Sequence, residues 1–381
     1  MSLRFPLLVA ALLAASAFSR ADTVTPNAVA DHYAVLVHAS YEDAATSARQ
    51  MQAAINTFLT APDNASLQAA RQAWRDAREW YGQTEAFRFS GGPIDDEHGP
   101  EGRINSWPMD EAYVDYVKGR AKAGIINNPK IKLSRETLEK LNQKHGEENV
   151  STGWHAIEFL LWGQDLDPNG PGQRAFTDFV DGKAPHADRR RTYLKLVTDL
   201  LVDDLDSVAK AWAPGAANYR AAFTQDADAI RKILTGAGTL SRGELAGERI
   251  EVALSTKAQE DEHSCFSDNT HRDIVANAQG IQNVWEGKLT RRDGSVISGP
   301  AIRDLVATKD ARLAASTSAA MARTVALANA IQAPFDREIM GKDTAPGRKR
   351  LRAVIDALKV QANELVRAAR LLGIKQLNTK V

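Results

Sequence analysis

His155 and Glu158 are the residues whose types and spacing first suggest chemistry. Three positions apart, an imidazole and a carboxylate share one face of a helix, one turn from each other. They lie in Ser151-Thr-Gly-Trp-His-Ala-Ile-Glu-Phe-Leu-Leu-Trp-Gly163, and between its two glycines they are the only ionisable groups. A segment apolar on every side is stable as a helix only when buried, and this one is too short to span a bilayer. Buried titratable groups pair with each other, coordinate a metal or line a wet cleft. The spacing alone leaves open whether His155 and Glu158 are an internal hydrogen-bonded pair or part of a metal site.

A second concentration of such groups is Glu260-Asp-Glu-His-Ser-Cys-Phe-Ser-Asp-Asn-Thr-His-Arg-Asp273, which also carries the single cysteine, Cys265. It reads either as surface acids before a helix capped at Ser267 or Asp268, or as the opposite wall of a cleft. In the second reading His263 or His271, with a carboxylate such as Asp268 and with Ser264 or Ser267, faces His155 and Glu158. Cys265 reads as a small buried side chain, because no sequence neighbour supplies an activating base. Ser90 to Gly102 is rich in chain breakers and oxygen ligands, and its Asp95, Asp96, Glu97, His98 and Glu101 match no defined cation loop. It is a surface loop or a loop over the cleft. Histidine with two or three carboxylates suits iron, zinc or manganese. There is no His-Glu-x-x-His, so the usual helix-borne zinc peptidase site is missing.

Gly153-x-His155-x-x-Glu158 resembles the Gly-x-His-x-x-Glu signature of the imelysin family, also called peptidase family M75. Asp261 to His271 is similar to a second family block, and Thr84-Glu-Ala-Phe-Arg-Phe89 with Gly91-Gly92-Pro93 to a third. The resemblance lifts Glu85, otherwise an ordinary acid, to a candidate able to reach the His155 helix. It implies a metal centre of His155, Glu158, Glu85 and His263, with iron favoured and zinc possible, in a protein of periplasmic iron binding, uptake or handling. It equally implies an alternative, a metallopeptidase acting on extracellular polypeptides, with Glu158 as its catalytic carboxylate. A third class, a helical adaptor binding a membrane or periplasmic partner without metal, stays open beside them.

The elements that must position these residues are helical. Lysine plus arginine and aspartate plus glutamate both number 48, and a net charge of 0 gives no field that would draw nucleic acid. Arg4, an apolar run from Phe5 to Phe18 and small residues before Ala21 read as a secretory signal peptide, residues 1–21. The expected compartment is the periplasm, with outer-membrane association a variant of it, a periplasmic or outer-membrane partner protein, and no transmembrane segment after cleavage. With one cysteine no intramolecular disulfide can form.

Three-to-four-residue periodicity predicts a helix from Pro26, capped by Thr25 and ended by Ala61-Pro-Asp-Asn64. A second helix from about Ser66 carries Leu67, Ala70, Trp74, Ala77 and Tyr81 inside, with Arg71, Arg75, Arg78, Asp76 and Glu79 mostly on a solvated face. Trp107-Pro108 opens another helical piece, and Leu133 to Asn142 reads as a short one. Further helices are expected over about 187–213, 216–234, 240–257, 274–284, 301–331 and 346–372, with Gly236-Ala-Gly238 as a break. No segment shows convincing period-two alternation. The reading is all-α: one imelysin-like domain of two helical-bundle halves, 22–172 and 173–381, with the site at their junction.

Overall fold

Local chemistry sets most helix ends. In the computed structural model, which describes residues 24–379, the Thr25 hydroxyl accepts from the Ala28 N–H at 3.2 Å and Pro26 opens α1, Pro26–Thr60. Asp63 and Ser66 form a reciprocal capping box at the start of α2, Asn64–Thr84. The expected signal peptide, residues 1–21, lies outside the described residues. One 3₁₀ turn, Glu85–Phe87, extends α2 and holds Glu85. Short helices α3 (Glu101–Ile104), α4 (Glu111–Val114) and α5 (Arg135–Leu141) punctuate a long connection to α6, Gly153–Trp162.

Beyond α6 come α7 (Ala187–Ala211), α8 (Tyr219–Phe223) and α9 (Ala229–Thr239). The chain continues from α9 as a π-helix, Leu240–Glu251, and then as α10, Val252–Thr256. The remaining elements are α11 (Thr270–Glu286), the hairpin β1–β2 (Lys288–Thr290 and Val296–Ser298), α12 (Ile302–Ala307), α13 (Ala311–Ala328), α14 (Asp336–Ile339) and α15 (Pro346–Leu371). Helices α1, α2, α6 and α7 pack together; α11 lies on α2 and α13, and α15 on α13 and the π-helix. One continuous apolar core runs from Val29 on α1 to Ala369 on α15. Among the described residues no helix is long and apolar enough to cross a membrane.

Several expectations need correction. The antiparallel hairpin pairs Leu289 with Ile297 around Asp293-Gly294. An Asp-Gly turn is a hairpin signal, but three-residue strands are too short to show alternation. The helix expected over 216–234 is two, because Asn218 caps α8 and Asp226 closes a turn on the Asp228 N–H before α9. The one expected over 301–331 is also two, since Asp310 caps α13. Gly236 breaks nothing: a Cβ there would sit 2.7 Å from the Arg88 carbonyl, so the glycine lets α9 approach the turn that holds Glu85. Arg71 and Arg78, expected on a solvated face, are buried at 5% and 1% exposure. They sit four residues after Leu67 and Trp74, on the inner stripe itself.

Candidate metal centre

Helix α6 is buried at every residue from Gly153 to Trp162, as its all-round apolar character requires. Its entry is built around Gly153, whose φ of +83° and 2.3 Å Cβ approach to the Ile104 carbonyl exclude any side chain. The preceding Thr152 hydroxyl donates to the Arg103 carbonyl at 2.9 Å. At the other end the Arg71 guanidinium donates to the Leu161 carbonyl at 2.8 and 3.0 Å, a cation at the negative end of the helix. Trp74 donates to the Trp154 carbonyl at 3.1 Å. Helix α2 therefore fixes both the rotation and the depth of α6.

On that helix His155 Nδ1 and Glu158 Oε2 are 2.9 Å apart. Glu158 Oε1 accepts from the Ser267 N–H at 2.9 Å and its hydroxyl at 2.7 Å. Both oxygens of Glu158 are thus engaged, and the segment between α10 and α11 is tied to α6. His155 Nε2 is buried and has no hydrogen-bond partner. The His263 ring stands beside it, centroids 5.0 Å apart, edge-on to Trp107. His263 Nδ1 lies 3.2 Å from Asp273 Oδ2, outside hydrogen-bond geometry. A small cavity of about 10 Å³ adjoins both imidazoles, lined also by Glu111, Glu260, Cys265 and Phe266. That volume holds about one water or one ion.

Around the two imidazoles every strong charge is answered. Asp273 receives both Arg78 Nε and Nη2 at 3.3 Å and the Ser264 hydroxyl. Arg78 also donates to Asn105 at 2.6 Å, and Asn105 to Glu85 Oε1 at 2.8 Å. Glu85 Oε2 accepts from Arg249 and Arg88, each at 2.9 Å. Burial alone would raise the Glu85 carboxyl, but Arg249 and Arg88 override it and hold the group down at about 2. The π-helix explains how Arg249 also reaches Glu244, at 2.8 Å: its i→i+5 hydrogen-bond pattern brings residues five apart close together.

Burial keeps both imidazoles neutral, His155 well below its ordinary range and His263 pushed down to about 4, with the nearby arginines adding to the effect. Burial also pushes Glu158 up to about 8. A neutral imidazole is the form that binds metal.

Of the residues read from the sequence, His155, Glu158, His263, Ser264 and Ser267 meet here. Glu85 joins through Asn105 and Arg78, its carboxylate occupied by guanidinium groups. His271 turns to the Asp268 carbonyl at 3.1 Å. Asp268 faces a different cluster, with Asp165 and Asp336. The Ser90 to Gly102 loop spends its acids on structure, Asp95 on the Phe89 and Gly92 N–H groups and Glu101 on Arg88. The acids before Ser267 are not all at the surface, since Glu262 is fully buried, and α11 starts after Asn269, with no side-chain cap from Ser267, Asp268 or Asn269. Cys265 is free and buried, its thiol raised by burial. Sequence reasoning missed Arg78, Arg249 and Trp107; only the inner-stripe position of Arg78 could have betrayed its role.

The imelysin model of peptidase family M75 matches residues 37–365. A Synechococcus elongatus protein named iron-regulated protein A is 31% identical over 266 residues, 67% of this chain and 62% of that protein. The chain thus spans about three fifths of that relative's length. A solved structure, described as an iron-regulated protein A precursor from Parabacteroides distasonis, superposes with a TM-score of 0.69 at 18% identity, covering 92% of this chain and 97% of that one. The signature glycine, histidine and glutamate, the buried pair they form and the match over most of the chain agree: this protein belongs to the imelysin family.

Proposed function

We propose that the protein binds a transition-metal ion, iron foremost and zinc as the alternative, at His155 Nε2 and His263, as a carrier in iron handling outside the cytoplasm. The observation that carries this is the His155 Nε2 atom, buried and without a partner, on a residue that lines a small cavity together with a second neutral imidazole. An orphaned buried nitrogen costs about 1–3 kcal/mol, and a bound ion would remove that cost. Glu158 then acts as the positioning residue: with Nδ1–H donated to its carboxylate, the lone pair of Nε2 points into the cavity, as in carboxylate–histidine–metal arrangements. Glu85 and Asp273 balance the arginines, while burial keeps the imidazoles neutral.

The Synechococcus elongatus relative named for iron regulation supports iron as the ion. The expected signal peptide supports export to the periplasm, where a partner protein would deliver or receive the ion. Peptidase chemistry finds no support in the geometry: Glu158 is fully buried with both oxygens engaged, and the cavity admits no polypeptide.

Anaerobic titration with ferrous iron tests the assignment. Glu158→Gln should weaken binding by ~10–100-fold, the usual loss when an outer-shell partner of a ligating histidine is removed. Unchanged affinity in that variant would remove Glu158 from the site.

A further inference from the structure

A second group of buried carboxylates lies beyond Ser267. Asp165 follows α6, Asp268 precedes α11 and Asp336 opens α14, and their carboxylate oxygens come within 4.8 Å of one another. All three are buried, at 7, 8 and 4% exposure. Asp165 receives the Gln259 side-chain amide and the Asp167 N–H. Asp268 Oδ1 and Asp336 Oδ2 have no hydrogen-bond partner. Glu262, with 0% exposure, stands outside that group of three but within reach of its charges. Neither of its oxygens is hydrogen-bonded, and the charges that act on it most strongly are those of Asp336, Asp268 and Asp165.

No lysine or arginine among the described residues forms an ion pair with any of the four. Arg337, next to Asp336, donates instead to Asn169. Burial and mutual repulsion push Asp268 up to about 8 and Asp165 up to about 6. Four buried acids with several bare oxygens and no counter-ion are costly unless a cation sits among them.

We propose that Asp165, Asp268 and Asp336, with Glu262, form a binding site for a hard divalent cation, calcium in first place, separate from the His155 and His263 centre. Oxygen-only donors select hard cations over the iron or zinc that imidazole prefers. Calcium, at ~2.4 Å from its oxygens, accepts a flexible set of protein carboxylates, whereas magnesium gives up its water reluctantly and is seldom held by a buried all-protein cage. The cation would join three distant parts of the chain: the loop after α6, the segment before α11 and α14. Because Ser267 holds Glu158 and Asp268 follows it directly, the cation also secures the segment that supports Glu158.

The test is calorimetric titration of calcium chloride into chelator-stripped full-length protein, with thermal unfolding in parallel. One calcium should bind to the wild type and to His155→Ala, raising the unfolding temperature of both. Asp336→Asn should weaken binding by at least ~10-fold, the unfolding shift should vanish with it, and Asp165→Asn should repeat the loss should Asp336→Asn misfold by circular dichroism. Absence of heat and of any unfolding shift in the wild type at millimolar calcium would overturn the proposal. So would calcium affinity unchanged in the two asparagine variants.

Discussion

Two buried polar clusters on either side of Ser267 solve the same problem differently. Around His155 and His263 the acids Glu85, Glu244 and Asp273 are matched by Arg78, Arg88 and Arg249, through ion pairs between 2.8 and 3.3 Å. Around Asp268 the carboxylates face one another, with no ion pair among the described residues. Glu85 is accordingly held down to about 2, whereas Asp268 is pushed up to about 8. Burial alone would raise both; the partners decide the outcome. The first cluster has its charges paired and leaves bare two imidazole nitrogens, His155 Nε2 and His263 Nδ1, and Arg88 Nε. The second is incomplete without a cation or bound protons.

The largest effect that could break this comparison comes from the balanced cluster. Arg249→Ala would leave Glu85 to Arg88 alone and take the nearest partner from Glu244 and Asn277, and should cost ~3–5 kcal/mol, as breaking a buried ion pair does. Urea unfolding measures it, and a loss under ~1 kcal/mol would mean the pairs are not what makes those charges tolerable.

A third buried cluster, also balanced, sharpens the contrast through pH. Burial would raise Asp115, but Arg174 at 2.8 Å and Arg190 at 2.7 Å hold it below the ordinary carboxylate range. A depressed carboxyl stabilises the fold above its unfolded value of ~3.9 and loses that contribution as pH falls through the lower folded value. Wild-type stability should therefore drop on acidification through this window, and Asp115→Asn should show a flatter profile from a lower starting point. Parallel profiles for the two would remove Asp115 as a source of the acid sensitivity.

The smallest effect belongs to the unbalanced cluster. In calcium-free buffer Asp336→Asn removes one of four carboxylates and should leave stability within ~1 kcal/mol of wild type or raise it. A larger loss would show that contacts within the chain, and not a cation, are what make the four acids tolerable.

How much of the molecule was legible in the sequence depended on the kind of signal. The burial of α6 followed from its composition, and long helices such as α1 and α15 from periodicity and caps. The His155 and Glu158 pair came from local spacing, which a helix preserves. Arg249 and Asn277 could not be found that way, because their meeting with Glu85 depends on long-range packing and on a π-helical turn with no local signature. The acidic cluster joins residues 165, 268 and 336, and nothing in the chain order says that they meet. Arg71 and Arg78 were readable but misassigned: their positions on the inner stripe outweighed their charge.

The most direct measurement is the iron content of the purified protein, compared with His155→Ala and Asp336→Asn. Iron should be present in near-stoichiometric amount in the wild type and in Asp336→Asn, and absent from His155→Ala. Iron retained by His155→Ala but lost from Asp336→Asn would place the ion among the carboxylates. A wild type that stays empty even after anaerobic loading with ferrous iron would contradict the carrier function outright.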